Sequence, residues 1–194
     1  MKRLLVFLCA ILLCICVVGN ASATVIDFDA FSKGWFYGGT EDGYQISVNS
    51  NSFVSDYLGG NNQVAPANPS NSEPVYSFTR LDAGLFELLS LDLTSNGGGP
   101  NTIVEGYLDG ELVATDIFDP DNGPTFPIPT FLANNLAGIT LDRLDVQLIP
   151  AIYQQYLDNV TLAEVAPVPE PATMLLLGSG IIGLAGFRRR FRKR

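Results

Sequence analysis

Between Thr24 and Ala166 no stretch of helical periodicity runs longer than about ten residues; short alternating apolar and polar runs are separated instead by Gly, Asn, Asp and Pro. A chain written this way can bury strands but not helix faces. The runs at 25–28, 44–48, 75–79, 86–94, 102–108, 111–118, 144–149 and 155–162 read as strands. Such a number of strands predicts an all-β, jelly-roll-like β-sandwich, in which two sheets bury alternate side chains against each other. Asp109-Gly110 supplies the positive φ values of a type I′ turn, so 102–108 and 111–118 form a hairpin. The Gly/Asn/Pro-rich stretches 49–52, 59–72, 96–101 and 119–129 read as surface loops, 131–136 as a short helical turn, and Pro150 as a strand end.

The charge distribution separates this middle section from both ends. The 194 residues hold 11 Lys and Arg, 20 Asp and Glu, no His and 3 Cys. Only Lys33, Arg80 and Arg143 of the basic residues lie between 24 and 166, against every acidic residue except Glu170, so the section carries −16. A domain this acidic repels phosphate backbones, which excludes nucleic acid as a partner and favours divalent cations or basic partners. The absence of histidine removes the commonest general base and metal ligand. Cys9, Cys14 and Cys16 all lie near the N-terminus, so the middle section has no disulfide framework.

The first 23 residues have the layout of a secretory signal: Lys2 and Arg3, an apolar run over 4–18, and Ala21-Ser22-Ala23 as the small-x-small pattern cut by signal peptidase. Cleavage there makes Thr24 the first residue of the mature chain. Lipidation needs a small residue before the modified cysteine, whereas Leu13 precedes Cys14 and Ile15 precedes Cys16.

At the other end Val168-Pro169-Glu170-Pro171 is followed by an uncharged apolar segment at 172–187 and a basic tail at 188–194. The apolar segment reads as a single transmembrane helix, short for a hydrocarbon core of about 30 Å but extended by snorkelling arginines. The basic tail stays cytoplasmic by the positive-inside rule, leaving 24–167 outside. The order of proline break, glycine-bearing apolar helix and arginine cluster resembles the PEP-CTERM sorting signal of exported proteins of Gram-negative bacteria. That resemblance implies recognition of Pro169, Glu170 and Pro171 by an exosortase, transient residence in the inner membrane, and release towards the cell surface or extracellular matrix. The chain thus divides into a signal peptide (1–23), a β-sandwich domain (24–166) and a sorting and anchor segment (167–194).

Three constellations in the middle section bear on chemistry. Asp27 and Asp29 near the start and Asp158 in the last strand meet if the first and last strands lie side by side. Oxygen ligands of this type suit a hard cation, and the pattern resembles the structural calcium position of carbohydrate-binding sandwiches. Asp119-Pro120-Asp121-Asn122-Gly123 opens like a calcium loop, but Thr130 stands where the bidentate Glu belongs. Trp35 and Tyr37, flanked by Gly34, Gly38 and Gly39, form a candidate platform for stacking on sugar rings, with Phe36 between them directed to the core. Tyr44, Tyr57, Asn61, Asn62 and Gln63 fall on or near expected loops as further sugar contacts. Glu41, Asp42 and Glu105, with Asp27 and Asp29, supply carboxyl groups but no arrangement that identifies a glycosidase pair. The expectation is a non-enzymatic exported domain at the cell surface or in an exopolysaccharide matrix, with a carbohydrate-binding module as the alternative and a glycan-active hydrolase behind it.

Overall fold

A computed structural model describes residues 22–56, 62–67, 73–95, 101–120, 128–149 and 154–165. The signal segment, the sorting segment, Tyr57, Asn61, Pro150 and most of the 119–123 loop lie outside them. Among the described residues no helix is long and apolar enough to cross a membrane. The compact unit containing them spans Ala21–Val165. Its described residues form thirteen strands: β1 Ala23–Ile26, β2 Gly34–Phe36, β3 Gly39–Glu41, β4 Tyr44–Val48, β5 Ser52–Ser55, β6 Gln63–Pro66, β7 Val75–Arg80, β8 Phe86–Ser95, β9 Thr102–Leu108, β10 Glu111–Phe118, β11 Thr130–Leu132, β12 Arg143–Gln147 and β13 Gln155–Glu164.

They form two antiparallel sheets. One runs β11-β8-β13-β6-β5-β2 with β1 also on β13, and the other runs β10-β9-β12-β7-β4-β3. Strand alternation builds a common core. β4 buries Tyr44 and Ile46, β7 buries Tyr76 and Phe78, and β12 buries Leu144 and Val146. From the other sheet come Phe36, Val54, Val64, Leu88, Leu93 and Leu162. Phe28 sits among Phe36 and Phe78, each ring centroid 6.4 Å away in edge-on geometry. Gly106 is a packing residue rather than a hinge, since a Cβ there would lie 2.5 Å from both Leu136 Cδ2 and Leu141 Cδ2. Arg80 ties the two sheets together at one end, bonding Asp82 at 2.7 Å and reaching Glu164 of β13 at 3.5 Å.

The predicted hairpin is present, with Asp109 at φ 54° and Gly110 at φ 81°. A second Asp-Gly pair makes the equivalent turn between β3 and β4, with Asp42 at φ 47° and Gly43 at φ 86°. The eight expected strands all exist, and five shift at one or both ends. β1 stops at Ile26 because Phe28 turns to φ 61° around a buried carboxylate. Glu41 accepts the Phe28 N–H at 3.0 Å and the Ala30 N–H at 3.1 Å.

Two expectations are corrected. The segment 131–136 does not begin as a helical turn: Phe131 and Leu132 belong to β11, paired with Leu91 and Ser90 of β8. Phe131 packs on Phe118 at 5.4 Å, so burial of the ring against the sheet outweighs local helix preference. The turn follows it, at 134–138. Asp116 nucleates that turn by accepting the N–H groups of Asn134, Asn135 and Leu136 at 2.8, 2.7 and 3.3 Å. The 59–72 stretch is not all loop, because β6 lies within it and pairs with β5 and β13.

The aromatic cluster carries much of the core. Truncating Phe78, fully buried against Phe28, removes a ring the neighbours cannot replace. Phe78→Ala should lower unfolding free energy by about 3–5 kcal/mol, read by chemical denaturation of residues 24–166.

Candidate binding faces and carboxylate site

The first and last strands are neighbours, Ile26 opposing Val160 and Ala23 opposing Ala163. This brings the three predicted cation ligands into one region. Asp158 is buried on β13, while Asp27 and Asp29 follow directly on β1. Asp92 of β8 stands opposite Asp158 in the ladder. The register then breaks, Asn159 adopting φ 45°. Asn159 donates its N–H to Asp158 Oδ1 at 2.8 Å and its side-chain amide to Asp92 Oδ2 at 2.8 Å. Asp29 accepts the Asn62 N–H at 3.1 Å, and the Asn62 amide reaches Phe31 O at 2.9 Å. Burial pushes Asp158 up to about 7, against the Asn159 N–H and with help from the charges of Asp92, Asp27 and Asp29. Glu41 is also raised, chiefly by burial, against its two backbone hydrogen bonds and with Asp27 adding to the rise. As they stand, no three acidic side chains among the described residues converge closely enough to hold a metal ion.

A second set of polar groups lies on the outward face of the six-stranded sheet, where no motif had marked it. Alternation sends Leu144 and Val146 of β12 inward, so Arg143, Asp145 and Gln147 face out. Arg143 opposes Tyr107 of β9, and Asp145 opposes Glu105. The Arg143 guanidinium carbon lies 3.9 Å above the Tyr107 ring, a cation–π contact. Tyr107 donates its hydroxyl to Glu105 Oε2 at 2.7 Å, and that hydrogen bond is the first cause of its raised pKa. Arg143 Nε lies 3.3 Å from Asp145 Oδ1 as an ion contact without hydrogen-bond geometry. Gln147 bonds Glu73 at 3.2 Å. The same rows continue through Thr79 and Ser77 of β7 to Gln45 and Ser47 of β4. The result is a partly exposed row of fixed donors and acceptors around one aromatic ring.

The other candidates divide cleanly by exposure. Trp35 and Tyr37 are 64% and 74% exposed, while Phe36 between them is 3% exposed and in the core. Tyr44 and Gln63 are buried in β4 and β6 rather than on loops, because strand pairing claims both segments. They are corrected accordingly from sugar contacts to interior residues. Burial pushes the Tyr44 hydroxyl up to about 12, partly offset by Arg80. Asn62 holds the 28–31 turn. Glu41 is committed to backbone N–H groups, Asp42 is a turn residue, and Glu105 joins the row just described.

Comparison with known proteins adds a sorting assignment. The PEP-CTERM protein-sorting motif matches residues 167–190, which include Pro169, Glu170 and Pro171. No curated protein matches the chain. Among solved structures, similarity extends to family 29 carbohydrate-binding modules. A mutant module complexed with mannohexaose is 20% identical, with 75% of this chain and 93% of that chain covered at a TM-score of 0.46. Another mutant, complexed with cellulohexaose, is 22% identical over 74% and 92% at 0.45. A module from Piromyces equi is 17% identical over 76% and 93% at 0.42. At these values the likeness assigns neither a ligand nor a site to this chain.

The buried carboxyls set the pH response. Asp158 keeps its proton in the folded state up to about 7, whereas an unfolded aspartate releases it near 3.8. In that window the folded state binds more protons, so stability falls as pH rises from about 4 to about 7 and then levels off. Glu41 adds a slope of the same sign. In EDTA, the melting temperature of residues 24–166 should drop across this interval, and Asp158→Asn should flatten most of the drop.

Proposed function

We propose that this chain is an exported, non-enzymatic protein, freed from its signal at Thr24, sorted by an exosortase, and retained at the cell surface or in an exopolysaccharide or biofilm matrix. The motif at 167–190 carries the sorting half of this reading. The domain contributes polysaccharide binding through the outward row of the six-stranded sheet. With Arg143 stacked on its ring, Tyr107 holds the row in place, and Glu105, Arg143, Asp145 and Gln147 supply fixed partners for sugar hydroxyls. Binding rather than hydrolysis suits this row, because its carboxylates are already engaged with Tyr107 and Arg143 on an open sheet face. The charge of −16 across 24–166 makes the preferred polymer uncharged, since a polyuronate would be repelled.

Intact-mass measurement of the exported protein should find Thr24 first and no peptide from 188–194. A secreted form that keeps the basic tail overturns the sorting half. Affinity electrophoresis in neutral glucan or mannan gels should show retardation that Arg143→Ala weakens at least tenfold. Unretarded wild-type protein in every neutral gel removes the glycan half.

A structural calcium completes the proposal. Burial, together with the charges of Asp92, Asp27 and Asp29, holds Asp158 protonated near neutrality, and a hard cation drawing these carboxylates inward relieves that repulsion. Chelation should then lower the melting temperature at pH 8 by several degrees, and Asp158→Ala should abolish the sensitivity. An identical melt in calcium and in EDTA argues for carboxylates that merely face water.

A further inference from the structure

Trp35, the first of the exposed aromatic pair, lies on a different sheet from the row that carries the proposed function. β2 is the edge strand of the seven-stranded sheet. Phe36 points into the core from it, so Trp35 projects from the opposite, outward face. In register beside Trp35 stands the half-buried Phe53 of β5, and Ala65 of β6 beyond it is fully buried, so the exposed apolar strip lies along the sheet edge. Tyr37 follows as the chain crosses from β2 to β3, which belongs to the other sheet.

The backbone presenting the two rings is held tightly. Gly34 and Gly38 have φ of 129° and 97°, and a Cβ at Gly38 would lie 2.6 Å from Ile46 O. At Gly39 a Cβ would strike the Phe31 ring at 2.4 Å. Leaving a large aromatic ring in water forgoes roughly 1.5–3 kcal/mol of burial, and here two stand exposed on a rigid support. Hydrogen-bonding capacity lies next to them. The Lys33–Asp56 ion pair joins the chain before β2 to the chain after β5. Flat rings beside donors and acceptors suit a pyranose polymer, and the charge of 24–166 again selects an uncharged one.

We infer that the domain holds two neutral polysaccharide chains at once, one on each sheet, and so cross-links the polymer it binds. The inference rests on the binding role proposed for the Arg143 row and adds a second, independent face. The core separates the two faces, since packed sheets stand about 10 Å apart before outward side chains are counted. A polymer lying along one face leaves the other open to a second chain, and an insoluble network engages both with the gain in avidity that linked sites give.

The test uses residues 24–166, a neutral hexasaccharide from a glucan or mannan that retards the protein, and the parent polymer. Calorimetry should give two hexasaccharides per domain for wild type and one for either Trp35→Ala/Tyr37→Ala or Arg143→Ala. Only wild type should raise the viscosity of the dissolved polymer, and both variants should lose at least tenfold in apparent affinity for its insoluble form. Trp35 and Tyr37 are exposed, so unchanged melting temperatures are expected and show that the fold is intact. One hexasaccharide per wild-type domain, lost in Arg143→Ala and kept in Trp35→Ala/Tyr37→Ala, overturns the cross-linking inference while leaving the single-face reading standing. Binding lost only with the aromatic pair moves the site and overturns both.

Discussion

The pairing of β8 with β13 is the constraint on which the seven-stranded sheet depends. β13 receives β8 along one edge and both β1 and β6 along the other, so its position fixes three strands at once. Its ladder is interrupted at Asp158 and Asn159, where the register shifts before Thr161. The interruption keeps Val160 and Leu162 directed to the core after Leu157, at the cost of a non-glycine residue in the left-handed region. The same irregularity leaves Asp158 buried opposite Asp92. The site of greatest electrostatic tension therefore coincides with the strand that organises the sheet.

Carboxylates elsewhere hold turns that a larger or disulfide-linked domain would hold by other means. Glu41 and Asp116 are both buried, and both accept backbone N–H groups from a neighbouring turn. An acidic composition that reads as a property of the surface is thus partly internal. Charge-assisted bonds of this kind are stronger than neutral ones, which suits a section with no cysteine left to bridge its loops.

What could be read beforehand follows from how local each signal is. Asp109-Gly110 and the strands beside it were legible because turn chemistry and alternation act within a few residues. Asp42-Gly43 carried the same signal, but the strand before it, Gly39–Glu41, is three residues long and lacks an apolar rhythm. β6 reads as loop because all four of its residues are buried, which erases alternation. The meeting of Asp27 and Asp29 with Asp158 was accessible through the expectation that end strands adjoin. Asp92 was not, since its partner lies far along the chain. The Tyr107 and Arg143 row was illegible for the same reason: its members come from two strands whose register only the folded sheet sets.

The adjacency of the two ends has a mechanical consequence. Glu164 donates its N–H to Ser22 O beside the Ala23 to Ala163 pair, so the first and last strands begin and end at one corner of the domain. Until the signal is cut before Thr24, tension between the two ends would open the β1–β13 ladder like a zipper, one bond after another. Force arriving through a polymer on either sheet face meets whole ladders in parallel instead. A domain so wired yields readily to tension between its ends only while the signal is attached, and it resists pulling through anything bound to its faces.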